Sequence, residues 1–414
     1  MGTDWPRAWL GFFLAVSTSV SAAPLSFRAA ITIAQERAPV VRAADRAASA
    51  LTHAADVANP FLLMPAQLQL TAGSRHFKGG IAPGFETQAQ FQQPIPLRPV
   101  GSTRKQSMTA AQRFAMGRAN EARLVVAERT AHAWLDVLFA EKTLVLQTRA
   151  LDEARNITAL ARVRVAKGVA SPNETALALA DEAMAETEQL DAEGHLTEAK
   201  LELGSILGVD AASFTLDDHD APIDTPCPTV DAALNVMRQT HPSVLRAHGH
   251  AESLAGDAAY IDALHGVSLG IGFVSAREGN GELVSSALVT IPFPWSTPGH
   301  ADSLRVQSEN DEAVAAHAFE ADALTRDVRV AIHDHEHTRA TLAAARRAVT
   351  ALQDAYRIAR ALVDRGASDL TIAALARQRL IAGEDRALHA EAQVFRGNVR
   401  LLAAQGILSE AVTR

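Results

Sequence analysis

A set of landmarks occurs twice in this chain, in the same order and about 200 residues apart, and no other feature restricts the fold as much. Ala29-Ala30-Ile31 followed by Ala38-Pro39-Val40-Val41 returns as Ala232-Ala233-Leu234 followed by His241-Pro242-Ser243-Val244. Both segments run on as alanine-rich helix. Each half then has a region of alternating residues that closes on paired prolines. These are Pro94 and Pro96 in Gln93-Pro94-Ile95-Pro96-Leu97, and Pro292 and Pro294 in Ile291-Pro292-Phe293-Pro294-Trp295. A very long helical stretch follows in each half and is broken at a glycine: Gly168 in Lys167-Gly168-Val169-Ala170-Ser171, and Gly366 in Arg365-Gly366-Ala367-Ser368-Asp369. The duplication divides the chain into a leader (1–22), a first repeat (23–228, hairpin about 66–97) and a second repeat (229–414, hairpin about 267–294).

The alternating regions read as β-hairpins. In Phe85-Glu86-Thr87-Gln88-Ala89-Gln90-Phe91-Gln92 the less polar groups take odd positions and the polar ones even positions. Val267, Leu269, Ile271 and Phe273 share one parity, and Leu283, Ala287, Val289, Ile291 and Phe293 continue the scheme. Side chains alternate faces along a strand, so each hairpin has one apolar and one polar or small face. Strands of about ten residues suit a tilted bilayer crossing, but an isolated hairpin is marginal and needs partners. Proline donates nothing to a sheet ladder and cannot sit inside a helix, so the paired prolines predict a stiff corner from strand to helix.

The helices are expected over about 102–166 and 300–365, and at 1.5 Å per residue each reaches roughly 95 Å. That length points to a coiled coil rather than a globular packing unit. Val314, Ala321, Val328, His335, Leu342, Val349, Tyr356 and Val363 recur every seven residues, as do Leu124, Ala131, Leu138 and Val145, and Val137, Leu144 and Leu151. Seven-residue spacing keeps a seam toward a neighbouring helix. Composition agrees: alanine is abundant and aromatics make up 5%, which favours extended helical walls over large aromatic cores.

Arg7, the apolar run Ala8 to Val16 and Val20-Ser21-Ala22 read as an export signal with cleavage before Ala23. No later stretch has the ~20 continuous apolar residues of a membrane helix. The net charge of −8 gives no broad nucleic-acid face. The single Cys227 builds neither a disulfide framework nor a cysteine metal cluster. No nucleotide-binding glycine motif, nucleophile elbow or catalytic triad is legible, so no enzyme activity and no cofactor are expected. In His333-Asp334-His335-Glu336-His337, His333 and His337 stand four apart on one helix face and could share a metal ion. A solvated polar patch is the reading preferred here.

A leader, two repeats, two proline-ended hairpins and two long helices folding back at a glycine resemble the TolC family of outer-membrane factors over about 25–407 of the chain. The tip pattern of that family, a glycine, a small hydroxyl residue, an acidic residue and apolar helix, is matched by Gly168, Ser171, Glu174 and Leu177, and by Gly366, Ser368, Asp369 and Leu370. Ile291 to Gly299 and the short tail after Leu408 are similar to the heavy-metal (cobalt–zinc–cadmium) branch, although Trp295-Ser296-Thr297 departs from its pattern. The resemblance implies a mainly α fold with a small β part: long coiled-coil helices in a trimeric periplasmic α-barrel, and four strands per protomer in a shared outer-membrane β-barrel. It implies a homotrimer in outer-membrane lipid, acting as passive exit duct for metal ions or small toxic molecules handed on by an inner-membrane pump and a periplasmic adaptor. The tips Gly168, Ser171, Gly366, Ser368 and Asp369 would dock the adaptor, and Pro94, Pro96, Pro292 and Pro294 would set the corners. The alternative reading is a periplasmic coiled-coil scaffold or adaptor without a pore.

Overall fold

The computed structural model describes residues 24–58, 64–75, 84–217, 226–279, 281–292 and 298–413. The expected leader, the loop at 77–80, and Pro294 with its neighbours Phe293 and Trp295 lie outside the described residues.

The first half runs α1 (Phe27–Arg37), α2 (Pro39–Asp56), β1 (Gln67–Arg75), β2 (Gly84–Pro96), α3 (Val100–Ala166) and α4 (Pro172–Leu207). The second half runs α5 (Val230–Thr240), α6 (Pro242–Leu264), β3 (Ser268–Arg277), β4 (Leu283–Thr290), α7 (Pro298–Asp364) and α8 (Leu370–Ala404), with a short closing α9 (Leu408–Thr413). Side-chain oxygens start α1 and α5: Ser26 accepts from the Ala29 N–H and Thr229 from the Ala232 N–H. Each of these helices stops at a residue with extended backbone, Ala38 or His241, because a proline follows and excludes the helical conformation before it. The same proline, Pro39 or Pro242, then opens the next helix.

α3 and α7 have 67 residues each, close to the expected spans. At 1.5 Å per residue each is roughly 100 Å long. α3 packs on α1, α2 and α6 in its first half and on α4 and α8 in its second, while α7 packs on α5, α6 and α8. α3 and α6 approach closely. A Cβ on Gly117 would stand 2.6 Å from the Arg246 Cα, and one on Gly249 2.8 Å from the Phe114 nitrogen. The glycines therefore let two backbones meet where any side chain would hold them apart.

The seven-residue series hold only in part. Leu124, Ala131 and Leu138 are buried, but Val145 is exposed and Leu146 takes its place inside. Val328, His335 and Val363 are buried, but Val314 is exposed. A straight helix drifts about 20° per heptad against a strict repeat, so a single stripe cannot face one neighbour along the whole length.

The largest core lies midway along α3. Trp134, Leu135, Val137 and Leu138 pack there with Phe27 and Ile31 of α1, Leu203 and Leu207 of α4, Leu402 of α8 and Leu408. The Trp134 indole N–H donates to the Leu25 carbonyl at 3.2 Å, and Phe27 meets its ring edge-on. This collar binds the ends of both repeats to the long helix.

The strands form one antiparallel sheet in the order β1-β2-β3-β4. The register places Leu68, Phe91, Phe273 and Ala287 side by side in one row.

Candidate functional site

The sheet and the two helix-tip turns lie at opposite ends of α3 and of α7. At one end, the register sorts the sheet into two chemically distinct faces. Residues opposite one another share a face, so Leu68, Leu70, Phe85, Phe91, Ile95, Leu269, Ile271, Phe273, Leu283 and Val289 lie together. The other face carries Gln67, Gln69, Gln88, Gln90 and Gln92 with Gly270 and Gly272, and toward β4 also Val274, Val284 and Leu288. The apolar face is largely open: Leu70 and Leu283 are each 73% exposed, and Phe85 is 67% exposed. β1 and β4 have no further strand partner among the described residues. An open sheet with two free edges and an uncovered apolar face is half of a structure, because both features favour pairing with something else.

The corners differ from the expected arrangement. Pro94 and Pro96 do not follow β2 but form its last turn of ladder, opposite Gly270 and Ser268 of β3. β1 stops at the Gln67–Gln92 pair, so beyond Gln92 one side of β2 is a sheet edge, where proline is tolerated. The bend itself falls on 97–99, and Pro99 occupies the N-cap of α3. Arg98 fixes it by donating to the Asp262 carbonyl at 2.9 Å and to its carboxylate at 2.7 Å. In the second half Pro292 lies just beyond β4, and α7 starts at Pro298, where a Cβ on Gly299 would stand 2.1 Å from the His265 ring. Both corners thus rest on the end of α6. Neither Arg98–Asp262 nor Gly299–His265 carried a local signal, since each pairing is remote in sequence.

At the far end, two tight turns join α3 to α4 and α7 to α8. Gly168 and Gly366 both have φ 71°. In each turn the glycine N–H donates three residues back, to Val165 or Val363, and the next N–H five back, from Val169 to Arg164 and from Ala367 to Leu362. This paired closure of a helix end requires a left-handed residue, which is why a glycine stands there twice. Neither tip serine caps the returning helix through its hydroxyl. Ser171 is the N-cap of α4 by backbone, but its side chain makes no cap bond. In the second turn Asp369, not Ser368, holds the N-cap, again without a side-chain bond. The turns instead start through backbone bonds, Glu174 N–H to Ser171 O and Ile372 N–H to Asp369 O.

The two turns are alike in backbone and unlike in side chains. Four before and six after Gly168 stand Arg164 and Glu174, which approach to 3.5 Å and are mostly covered. The corresponding Leu362 and Ile372 are exposed. A small cluster of Ile157, Ala161, Ala178, Ala359, Val363, Leu370 and Ala373 ties all four helices together behind the turns.

The histidines lie between these ends, on α7. His333 and His337 are exposed with stacked rings 6.1 Å apart. Between them Asp334 pairs with Arg400, and His335 is buried. Among the described residues no group of three His, Cys, Asp or Glu is placed to hold a metal ion, so the pair offers two ligands and no third. Cys227 is exposed with its sulfur 3.9 Å from a Glu336 oxygen. Its thiol is pushed up, first by partial desolvation and then by the Glu336 carboxylate.

No protein-family model and no curated protein matches the sequence. Solved structures do match the fold. The outer-membrane channel OprN superposes with a TM-score of 0.74 at 15% identity, covering 92% of this chain and 89% of that one. The outer-membrane protein VceC of Vibrio cholerae gives 0.74 at 16% identity, covering 92% and 96%. CusC, whose structures concern folding and transmembrane channel formation, gives 0.71 at 14% identity, covering 97% and 98%. At these identities the likeness is one of fold, and it extends over nearly the whole length of both partners.

Proposed function

We propose that the chain is one subunit of a homotrimeric outer-membrane exit duct of the TolC type, passive and without enzyme activity. The observation that carries this reading is the unclosed four-stranded sheet with one open apolar face and two free edges. Four strands cannot close a barrel, whereas three such sheets joined edge to edge make twelve strands with no edge left. The apolar face would then meet lipid and the glutamine-rich face water. Among the described residues no helix is long and apolar enough to cross a membrane. The strands are therefore the only described elements patterned for lipid.

The fold shared with outer-membrane channels supports the same assignment. The 67-residue helices would form the periplasmic wall. The turns at Gly168 and Gly366, with Ser171, Ser368 and Asp369, would present six tips per trimer to a periplasmic adaptor coupled to an inner-membrane pump. Cargo would be small toxic molecules or metal ions.

The test is assembly. Chain extracted with detergent from the outer-membrane fraction should give three copies by native mass spectrometry. A stable monomer released in the soluble periplasmic fraction would overturn the duct and favour a poreless scaffold.

A further inference from the structure

The glutamine-bearing face of the sheet is almost free of charge. Along the described strands the register brings only two charged side chains to it, Arg75 at the end of β1 and Glu86 near the start of β2. The rest of that face is amide, glycine, small or aliphatic. Arg75 stands opposite Gly84 and Glu86 opposite Gly73, so the two are diagonal neighbours, with Arg75 Nε 2.9 Å from Glu86 Oε1. The pair lies at the end of the sheet remote from the helices, because α2 leads into the other end of β1 and β2 leads away toward α3.

The second repeat fixes the carboxylate as well. The Gly279 N–H donates to the same Glu86 oxygen at 3.4 Å. The two hairpins meet there backbone to backbone, since a Cβ on Gly84 would stand 2.3 Å from the Gly279 carbonyl oxygen. On the other side nothing covers the pair: a Cβ on Gly73 would meet nothing within 4 Å, and the Arg75 side chain is 55% exposed. An ion pair this open adds little stability. Its larger effect is on the field around it. Either member alone places a full charge on an otherwise neutral face, whereas together they cancel beyond a short distance. An unpaired charge reaches about 10 Å at 0.1 M salt and about 30 Å at 0.01 M.

We propose that Arg75 and Glu86 set the charge preference of the outer mouth of the duct. In a trimer the pair recurs three times around the rim. Each copy is neutral, so cationic and anionic solutes meet the same field there. The fitting cargo is of mixed charge, and any discrimination by sign arises elsewhere along the duct. The inference rests on the duct reading, which makes the glutamine-bearing face the lumen.

A thiol on the same face reads the local potential whether or not the distant helix tips are open. Gln90→Cys is made in a Cys227→Ala chain, so that the sole thiol lies about 13 Å along β2 from Glu86. Outer-membrane trimer in detergent, at about 10 mM salt, is treated with methanethiosulfonates carrying either trimethylammonium or sulfonate. The ratio of the two rates is normalised to that of 2-mercaptoethanol and should be near unity in this parent. Arg75→Gln should raise the cation-to-anion ratio about three-fold, because three carboxylates lose their partners. Glu86→Gln should lower it by about as much, and the double substitution should restore the parent ratio. Salt at about 0.5 M should erase both shifts. Arg75→Met serves if Arg75→Gln assembles poorly. A pair that only ties the hairpins together would alter both rates alike and leave the ratio unmoved. Unmoved ratios, or shifts to the same side in both single variants, overturn the proposal while the duct stands. If the Gln90→Cys thiol reacts with neither reagent in an outer-membrane trimer, the glutamine face is not the lumen and both readings fall.

Discussion

His241 stands at the break between α5 and α6 with 5% of its surface exposed, and its Nδ1 accepts from the Ser243 N–H at 3.3 Å. That bond requires a neutral ring protonated on Nε2. Burial pushes the imidazole below its ordinary 6.5, opposed in part by the Glu121 carboxylate of α3 and Asp327 of α7. The unfolded chain therefore binds the proton more readily than the folded one. Stability should be full above 6.5, fall as pH drops from 6.5 toward the lowered folded value, and flatten below it. His241→Gln keeps an acceptor at the cap and does not titrate. Thermal melts between pH 7.5 and pH 5 should show a shallower decline for this variant than for the parent. Parallel curves would show that the ring does not carry the effect. The sequence marked His241 only as a repeat landmark beside Pro242. Its lowered pKa comes first from burial, with Glu121 and Asp327 opposing it, and all of these come from chain segments remote in sequence. Arg377 was hidden in the same way: it reads as an ordinary helix charge, yet 3% of its side chain is exposed because α3 and α4 close over it.

Among the elements, the helix tips were the most legible and the corners the least. A glycine ending a long periodic stretch is a local signal, since only the left-handed conformation closes that helix end without strain. Added Cβ atoms at Gly168 and Gly366 meet nothing within 4 Å, so a substitution there is opposed by backbone strain and not by collision. Gly168→Val with Gly366→Val should cost about 1–2 kcal/mol at each turn and leave the trimer intact. If the turns dock an adaptor, efflux should be lost while outer-membrane trimer yield is kept. Full efflux at normal yield would remove the docking role. Ser171 and Ser368 are of the residue type that caps helices, but that type looks the same in sequence whether or not the side chain turns inward. At the corners, Pro94 and Pro96 drew attention, but the bend is held by Arg98 against Asp262, a pairing that exists only once α6 is folded beside α3.

For the molecule as a whole, the sheet decides what the chain must join. Phe91 and Phe273 sit opposite each other in the apolar row, each about half exposed in the single chain. If that row meets lipid, Phe91→Asp with Phe273→Asp places two carboxylates in hydrocarbon. Each is penalised by less than the about 2–4 kcal/mol that a basic residue costs at the midplane, and by less again near the interfaces. Outer-membrane trimer should then fall several-fold, while changing Gln90 and Gln92 to Asp on the opposite face should leave assembly intact. Equal effects from the two faces would contradict the lipid-facing assignment.

What the sequence by itself determined was everything carried by local period and local sterics. Alternation marked the strands, unbroken helical stretches marked α3 and α7, and glycine or proline marked the points where the chain must change direction. The duplication in order told that these parts form two similar units. Tertiary structure alone decided which helix faces meet. A seven-residue series names a stripe but not its partner, and α3 changes partners midway, so Leu146 replaces Val145 inside. It also decided the strand order, which places β2 beside β3 and so joins the two repeats into one sheet. Nothing local encodes that pairing: it follows from burying α6 against both α3 and α7, which brings the ends of both hairpins to the same place.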